Sequence, residues 1–197
     1  MIAIFDYGAG NLRSVQNTLQ EIGAAYTLVN DADGLRRADK IILPGVGHFG
    51  QLMRSLDDLG VREAFAERIR AGVPFLGICL GLHSLFRLSE EAPELPGLGI
   101  FGESVVRFGQ GARVPHMGWN VLEPRAECRL LRGLREKPRV YFAHSYYAPV
   151  MRATAAACEY TVPFTALLEQ ENIFGVQFHP EKSGPLGLRI MRNFVEL

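Results

Sequence analysis

Cys79 stands between two glycines in "GICLG", and His179 and Glu181 flank Pro180 in "FHPEKS". A thiol, an imidazole and a carboxylate are a nucleophile, a base and the group that orients the base. The apolar run "VPFLGI" leads into Cys79 as a buried strand, and helical spacing follows from Leu80 to Leu88. Gly77-x-Cys79-x-Gly81 is therefore the thiol form of the nucleophile elbow, a strand that reverses sharply into a helix. Side chains at the flanking positions would meet neighbouring backbone, and the turn presents the thiol to a cleft. A helix starting just after Cys79 also turns unpaired N–H groups toward sulfur, which favours thiolate, the reactive form. By itself the pattern is more often a tight turn holding a buried cysteine.

A base reverses that weighting. Pro180 disfavours helix at the residue before it, and in extended chain residues i and i+2 face one side. Glu181 can then hold one imidazole nitrogen of His179 while the other faces the thiol. His83 is a rival base, since residues four apart share a helix face, but it lacks a nearby acidic orienter. His144, in "YFAHSYY", lacks one too. His48 and His116 fall in loops, where a solvated or backbone-bonded imidazole is the default. His179 is the expected base. The Pro44-Gly45-Val46-Gly47 loop can turn backbone N–H groups toward a developing negative charge, although a glycine turn after a strand is ordinary. Together these parts describe acyl transfer through a thioester.

The elements that must position them alternate in type. Strands are expected at Ile2–Asp6, "AYTLVN", "KIILPG" and "VPFLGI". Between them lie a helix carrying Leu12, Val15, Leu19 and Ile22, and a helix from Phe49 to Arg70 broken near Gly60. Such alternation predicts a mainly parallel sheet covered by helices on both faces. Ligands of such sheets bind beyond the carboxyl ends of the strands, where Cys79, Gly45–Gly47 and Asp6–Gly8 all fall. After about residue 92 shorter β runs follow, "SVVRF", "WNVLE", "RVYFAHSYYAPV", "FTALLEQ" and "NIFGVQFHP", before "PLGLRIMRNFVEL" returns to helix. The expectation is one α/β domain over residues 1–197 with an added antiparallel region.

Composition excludes several function classes. Lys plus Arg (21) balances Asp plus Glu (21), so no net field draws in nucleic acid or an acidic membrane. Three cysteines, Cys79, Cys128 and Cys158, have none of the spacings of zinc or thioredoxin sites. Their odd number, with no secretory leader, points to a reducing, cytoplasmic setting. No apolar run approaches the roughly 20 residues of a membrane span. No metal or organic cofactor is indicated.

"GICLG" followed far downstream by "FHPE" resembles the class I, triad-type glutamine amidotransferases. "DYGAGNLRSV", "LPGVG", "VPHMGWN", "YFAHSYY" and "GVQFHPEKSG" narrow the resemblance to the glutaminase subunits of imidazole glycerol phosphate synthase, from Phe5 to Gly184. The resemblance implies that family's three-layer α/β fold. It implies that Cys79 attacks the carboxamide of L-glutamine, with His179 as base and acid and Glu181 orienting it. It implies oxyanion donors at the backbone N–H groups of Val46 and Leu80, and substrate contacts at Gly47, Glu91, Ser145 and Tyr146. Charge suits Glu91 to an ammonium group, but only the resemblance selects it over Glu90. The implied partner is a (βα)8-barrel cyclase in a heterodimer, which receives ammonia through a tunnel. Asn11, Trp119, Asn120, Tyr141 and Lys182 are implied near that interface. One departure stands out: the family usually has Gln where this chain has His83, which is read as a substitute substrate contact.

Other readings are a glutaminase serving another synthase, a non-catalytic module that docks a synthase, and a cysteine peptidase. "MGWN" and "DYGAGN" argue against the first, the full Cys79, His179, Glu181 set against the second, and "FHPEKS" against the third.

Overall fold

The computed structural model describes residues 1–8, 11–134 and 137–197. Two residues of the "DYGAGN" motif, Ala9 and Gly10, lie outside the described residues. The amino-terminal half runs β1 (Ile2–Phe5), α1 (Leu12–Glu21), β2 (Tyr26–Val29), α2 (Ala32–Arg36), β3 (Lys40–Gly45), α3 (Phe49–Asp58), α4 (Arg62–Arg70), β4 (Phe75–Cys79) and α5 (Leu80–His83). Next come β5 (Phe86–Ser89), β6 (Phe101–Arg107), β7 (His116–Val121), β8 (Glu123–Pro124), β9 (Arg139–His144) and β10 (Tyr146–Tyr147). The chain continues with β11 (Thr154–Tyr160), β12 (Val162–Gln170), β13 (Ile173–Val176) and α6 (Gly184–Val195).

The central sheet has the order β2-β1-β3-β4-β13-β12-β11-β8, with β2 through β13 parallel and the last three strands antiparallel. Every residue of β1, β4 and β13 is buried, as a sheet covered on both faces requires. Side chains alternate between two cores, the period-two rule at work. Ala3, Phe5, Ile41 and Leu43 join one core with α3 and α4, while Ile2, Ile4 and Ile42 join the other with α1 and α6. In the first, the Phe5, Phe65 and Phe75 rings meet edge to face at 4.9 and 6.1 Å, a favoured aromatic geometry. The class I glutamine amidotransferase-like architecture expected from sequence is the one observed, including the helix break at Gly60, whose φ is +63°.

Four local expectations fail for identifiable reasons. The helix after Cys79 stops at His83, and Phe86–Ser89 is strand. The Ser84 hydroxyl bonds back to the Gly81 carbonyl at 2.8 Å, and Phe86 is drawn out of helical register to meet Phe101, ring to ring at 5.6 Å. The alanine-rich "TAAACEY" carries no strand signal, yet forms β11 because burial between β12 and β8 decides its conformation. The short α2 is too brief to show a helical period; its start is set by Asp31, whose carboxylate caps the Gly34 N–H at 2.6 Å. Finally, His116 is not in a loop but on β7, which starts ahead of the expected "WNVLE" run and pairs with β9 in a two-stranded ribbon. No helix among the described residues is long and apolar enough to cross a membrane.

Candidate active site

Sterics fix the elbow. Cys79 has φ of +52° and ψ of −103°, a region non-glycine residues occupy only when their surroundings enforce it. The enforcement comes from backbone packed too closely for side chains. A Cβ on Gly77 would lie 2.5 Å from the Gly81 carbonyl oxygen, and one on Gly81 would lie 1.9 Å from the Leu43 carbonyl oxygen. Gly45, in register with Cys79, would meet the Leu80 Cβ at 2.6 Å. The ends of β3 and β4 and the start of α5 are thus pressed into one block, with the sulfur at its edge.

His179 arrives from the far side of β4. β13 pairs with β4 and ends at Val176, and the chain then crosses to the ribbon, where the His179 N–H donates to the Tyr141 carbonyl at 2.9 Å. Glu181 reaches His179 by a different backbone from the one expected. Pro180–Lys182 form a 3₁₀ turn rather than extended chain, closed by Ser183, whose hydroxyl donates to the His179 carbonyl at 2.7 Å. The imidazole Nδ1 lies 2.8 Å from Glu181 Oε1, with both side chains 2% exposed. Burial by itself lowers the His179 pKa, but hydrogen bonds with Cys79 and Glu181 outweigh it and raise the group to about 10. The imidazole is therefore held in its protonated form at neutral pH, facing the sulfur.

A cavity of ≈ 310 Å³ opens here. Val46, Gly47, Cys79, Leu80, His83, Glu91, Ser145, Tyr146 and His179, all expected in the site, line it. So does Lys182, which was expected at an interface; Glu181 stands behind His179, outside the lining. The structure separates two carboxylates that sequence could not. Glu91 lines the cavity, its carboxylate accepting from the Phe49 N–H at 2.8 Å, whereas Glu90 turns away to the Arg107 N–H. Gly47 has φ of +104°, and a Cβ there would meet only Gln51 Oε1, at 4.0 Å. The buried Tyr7 hydroxyl donates to the Val46 carbonyl at 3.5 Å, and desolvation pushes that phenol up to about 12, so it stays a donor.

His83 is not the base. It is buried, with Nε2 2.7 Å from Gln177 Oε1. Gln177 in turn directs Nε2 to the Cys79 sulfur at 3.7 Å. Sequence reasoning misses Gln177, although it stands two residues before His179, where strand alternation would put it on the same side. Met117 and His144 also line the cavity without having been expected there. His116 and His144 are buried partners, Nδ1 to Nε2 at 3.0 Å. Burial lowers His116 to about 4, and burial likewise drives His144 well below the usual histidine range. His48 caps α3, its Nδ1 accepting from the Gly50 N–H at 3.0 Å.

The five residues expected near an interface lie on or beside the ribbon. Trp119 pairs with Tyr141 across β7 and β9, and Lys182 lies over the Tyr141 ring at 5.9 Å. Asn11 donates to Glu181 Oε1 at 3.5 Å. Trp119 is 51% exposed. Asn120, on β7 beside Trp119, turns its side chain to the Glu159 carbonyl at 3.0 Å. Cys128 and Cys158 lie away from the cavity, and burial pushes both thiols up to about 12. Among the described residues no cluster of three or more His, Cys, Asp or Glu is placed to hold a metal ion.

Comparison with known proteins gives this geometry its relatives. Residues 3–197 match the family model of glutamine amidotransferase class-I. The chain is 48% identical over 198 residues to "Imidazole glycerol phosphate synthase subunit HisH" of Methanothermobacter thermautotrophicus, covering 100% of this chain and 98% of the relative. It is 44% identical over 196 residues to the protein of that name in Desulfitobacterium hafniense strain Y51, covering 98% and 93%. Among solved structures, that of a glutamine amidotransferase superposes with a TM-score of 0.78 at 21% identity, covering 99% of this chain and 97% of the other. The structure of PurLQS from Thermotoga maritima gives 0.74 at 19% identity, covering 99% and 97%. At these identities the structural likeness speaks for the fold.

Proposed function

The chain belongs to the class I glutamine amidotransferases, among the imidazole glycerol phosphate synthase HisH subunits, and on that premise we propose that it hydrolyses L-glutamine through a thioester on Cys79. The observation that carries the proposal is the His179–Glu181 pair at 2.8 Å, buried beside a cysteine held at positive φ. The Cys79 sulfur attacks the carboxamide carbon. The carbonyl oxygen takes up the negative charge and is met by the N–H groups of Val46 and Leu80, each worth about 3 kcal/mol to such an intermediate. The C–N bond then breaks as protonated His179 gives its proton to the departing nitrogen. That leaves a neutral imidazole that takes a proton from water as it attacks the thioester; the C–S bond breaks, glutamate is freed, and the Cys79 thiolate is returned beside protonated His179. Glu181 stabilises the imidazolium on both passes. Gly47, Glu91, Ser145 and Tyr146 grip the amino-acid end, with Glu91 on the ammonium.

The relatives' name describes one part of a synthase, and the proposal extends to the partner. Ammonia passes to a (βα)8-barrel cyclase bound as a heterodimer at Asn11, Trp119, Asn120, Tyr141 and Lys182. The cyclase uses it in histidine biosynthesis to split a phosphoribulosyl formimino intermediate into imidazole glycerol phosphate and aminoimidazole carboxamide ribotide. The half-exposed Trp119 fits an interface anchor. Partner-dependent gating would pivot at Gly47, where a Cβ would make only an ordinary contact with Gln51, and not at Gly45, which is clamped against Leu80.

The test is glutamate release by the chain alone, with the cyclase of the same organism, with cyclase plus its ribotide, and in the last state with Cys79→Ala. Strong release is expected only with cyclase and ribotide together and an intact Cys79. Equal release by the Cys79→Ala complex would refute the thioester route.

A further inference from the structure

A buried row of polar contacts runs behind the nucleophile. His83 Nε2 is 2.7 Å from Gln177 Oε1, and Gln177 Nε2 is 3.7 Å from the sulfur of Cys79. A neutral imidazole has one N–H and one lone pair. Since Gln177 meets His83 with its carbonyl oxygen, the imidazole must present the N–H there, on Nε2. The lone pair is then on Nδ1. That atom is buried without a hydrogen-bond partner among the described residues, on a ring that lines the cavity. A buried acceptor left unpaired is unfavourable, so this tautomer is held against that cost by the short contact to Gln177.

We propose that His83 is a positioning residue that fixes the Gln177 amide as a donor to the Cys79 sulfur. The proposal rests on Cys79 being the nucleophile. The amide has two orientations. With its NH2 toward sulfur it stabilises the thiolate; flipped, its carbonyl oxygen would face the sulfur and repel it. A donor on His83 selects the first orientation. Burial lowers the His83 pKa to about 4 against the opposing effect of the hydrogen bond it donates to Gln177, so the one-donor, one-acceptor pattern persists at neutral pH.

Alkylation by iodoacetamide forms an S–C bond at Cys79 and releases iodide, and needs neither glutamine nor a partner. The rate is read at pH 7 from the mass of the Cys79 peptide, which separates it from Cys128 and Cys158. Loss of a charge-assisted donor predicts slowing of about five- to tenfold in His83→Leu. The same slowing is expected in Gln177→Leu, with no further loss in the double variant, because the two act in series. His83→Gln, which restores a donor, returns the rate to within about twofold of the parent. Rates in a folded Gln177→Leu or His83→Leu equal to the parent overturn the positioning role, as do losses that multiply in the double variant. Thermal melts certify folding, and Gln177→Leu decides if His83→Leu is unstable.

Glutamate release that survives Cys79→Ala would instead overturn the nucleophile assignment, a separate result.

Discussion

The two walls of the cavity are held by different physics. On the β4 wall, backbone is packed against backbone: Gly77, Gly81 and Gly45 sit where any side chain would collide. On the ribbon wall, polar groups are bonded in sequence. Asn120 Nδ2 donates to His116 Nε2 at 3.4 Å, His116 Nδ1 to His144 Nε2 at 3.0 Å, and His144 Nδ1 to the Tyr146 carbonyl at 2.9 Å. Donor follows acceptor only while both imidazoles are neutral. The steric wall holds the nucleophile in one strained geometry whatever the solvent. The polar wall carries the half-exposed Trp119 and depends on protonation. Rigidity thus lies with the sulfur, and the adjustable contacts lie on the proposed docking side.

This contrast can be broken at several points. The largest effect is expected between the walls, where Glu181→Gln keeps the shape but removes the charge behind His179. It should lower kcat by about 10³- to 10⁴-fold in the cyclase complex with KM little changed, measured by glutamate release. Next, Gly81→Ala, facing the Leu43 carbonyl, should destabilise the fold by about 3 kcal/mol or more, read as a shift in urea midpoint. A mild effect there would mean the steric wall can relax. Trp119→Ala should leave the melt nearly unchanged but weaken cyclase binding by about 30-fold, or about 2 kcal/mol, in titration calorimetry.

The smallest effect concerns pH. His83, His116 and His144 have lowered pKa values, so in mild acid the unfolded chain binds more protons and stability falls as pH drops from about 6.5 toward 4. His179 has the opposite sign: its contribution is full below about 6.5 and is lost as pH rises toward about 10. Trp119 is the sole tryptophan, so its emission reports the ribbon. On acidification that emission should change before the far-UV dichroism of the whole chain. Coincident transitions would show that the two walls do not differ in acid sensitivity.

What sequence revealed follows the same division. The elbow was legible because glycines in a G-x-C-x-G frame answer a backbone demand that leaves a signature in residue type. The parallel strands were legible because burial on both faces leaves continuous apolar runs such as "KIILPG". His179 and Glu181 were legible as a pair, although a 3₁₀ turn and not extended chain brings them together. The ribbon's strands were partly legible, in "WNVLE" and "RVYFAHSYYAPV", but its buried histidines were not, because they look like surface histidines until their partners, 28 residues apart for His116 and His144, are known. Gln177 was hidden for a similar reason: its two partners, His83 and Cys79, both lie about a hundred positions upstream. The Leu80–Leu88 helix failed because a tertiary contact, Phe86 on Phe101, overrode a local period.

The most direct test of the central claim is acid quench of the cyclase complex during turnover with glutamine, followed by mass analysis of the Cys79 peptide. A glutamyl adduct on Cys79, forming within one turnover and absent in Cys79→Ser, is the predicted result. Glutamate release at full rate with Cys79 unmodified throughout, or with the adduct on another residue, would contradict the account.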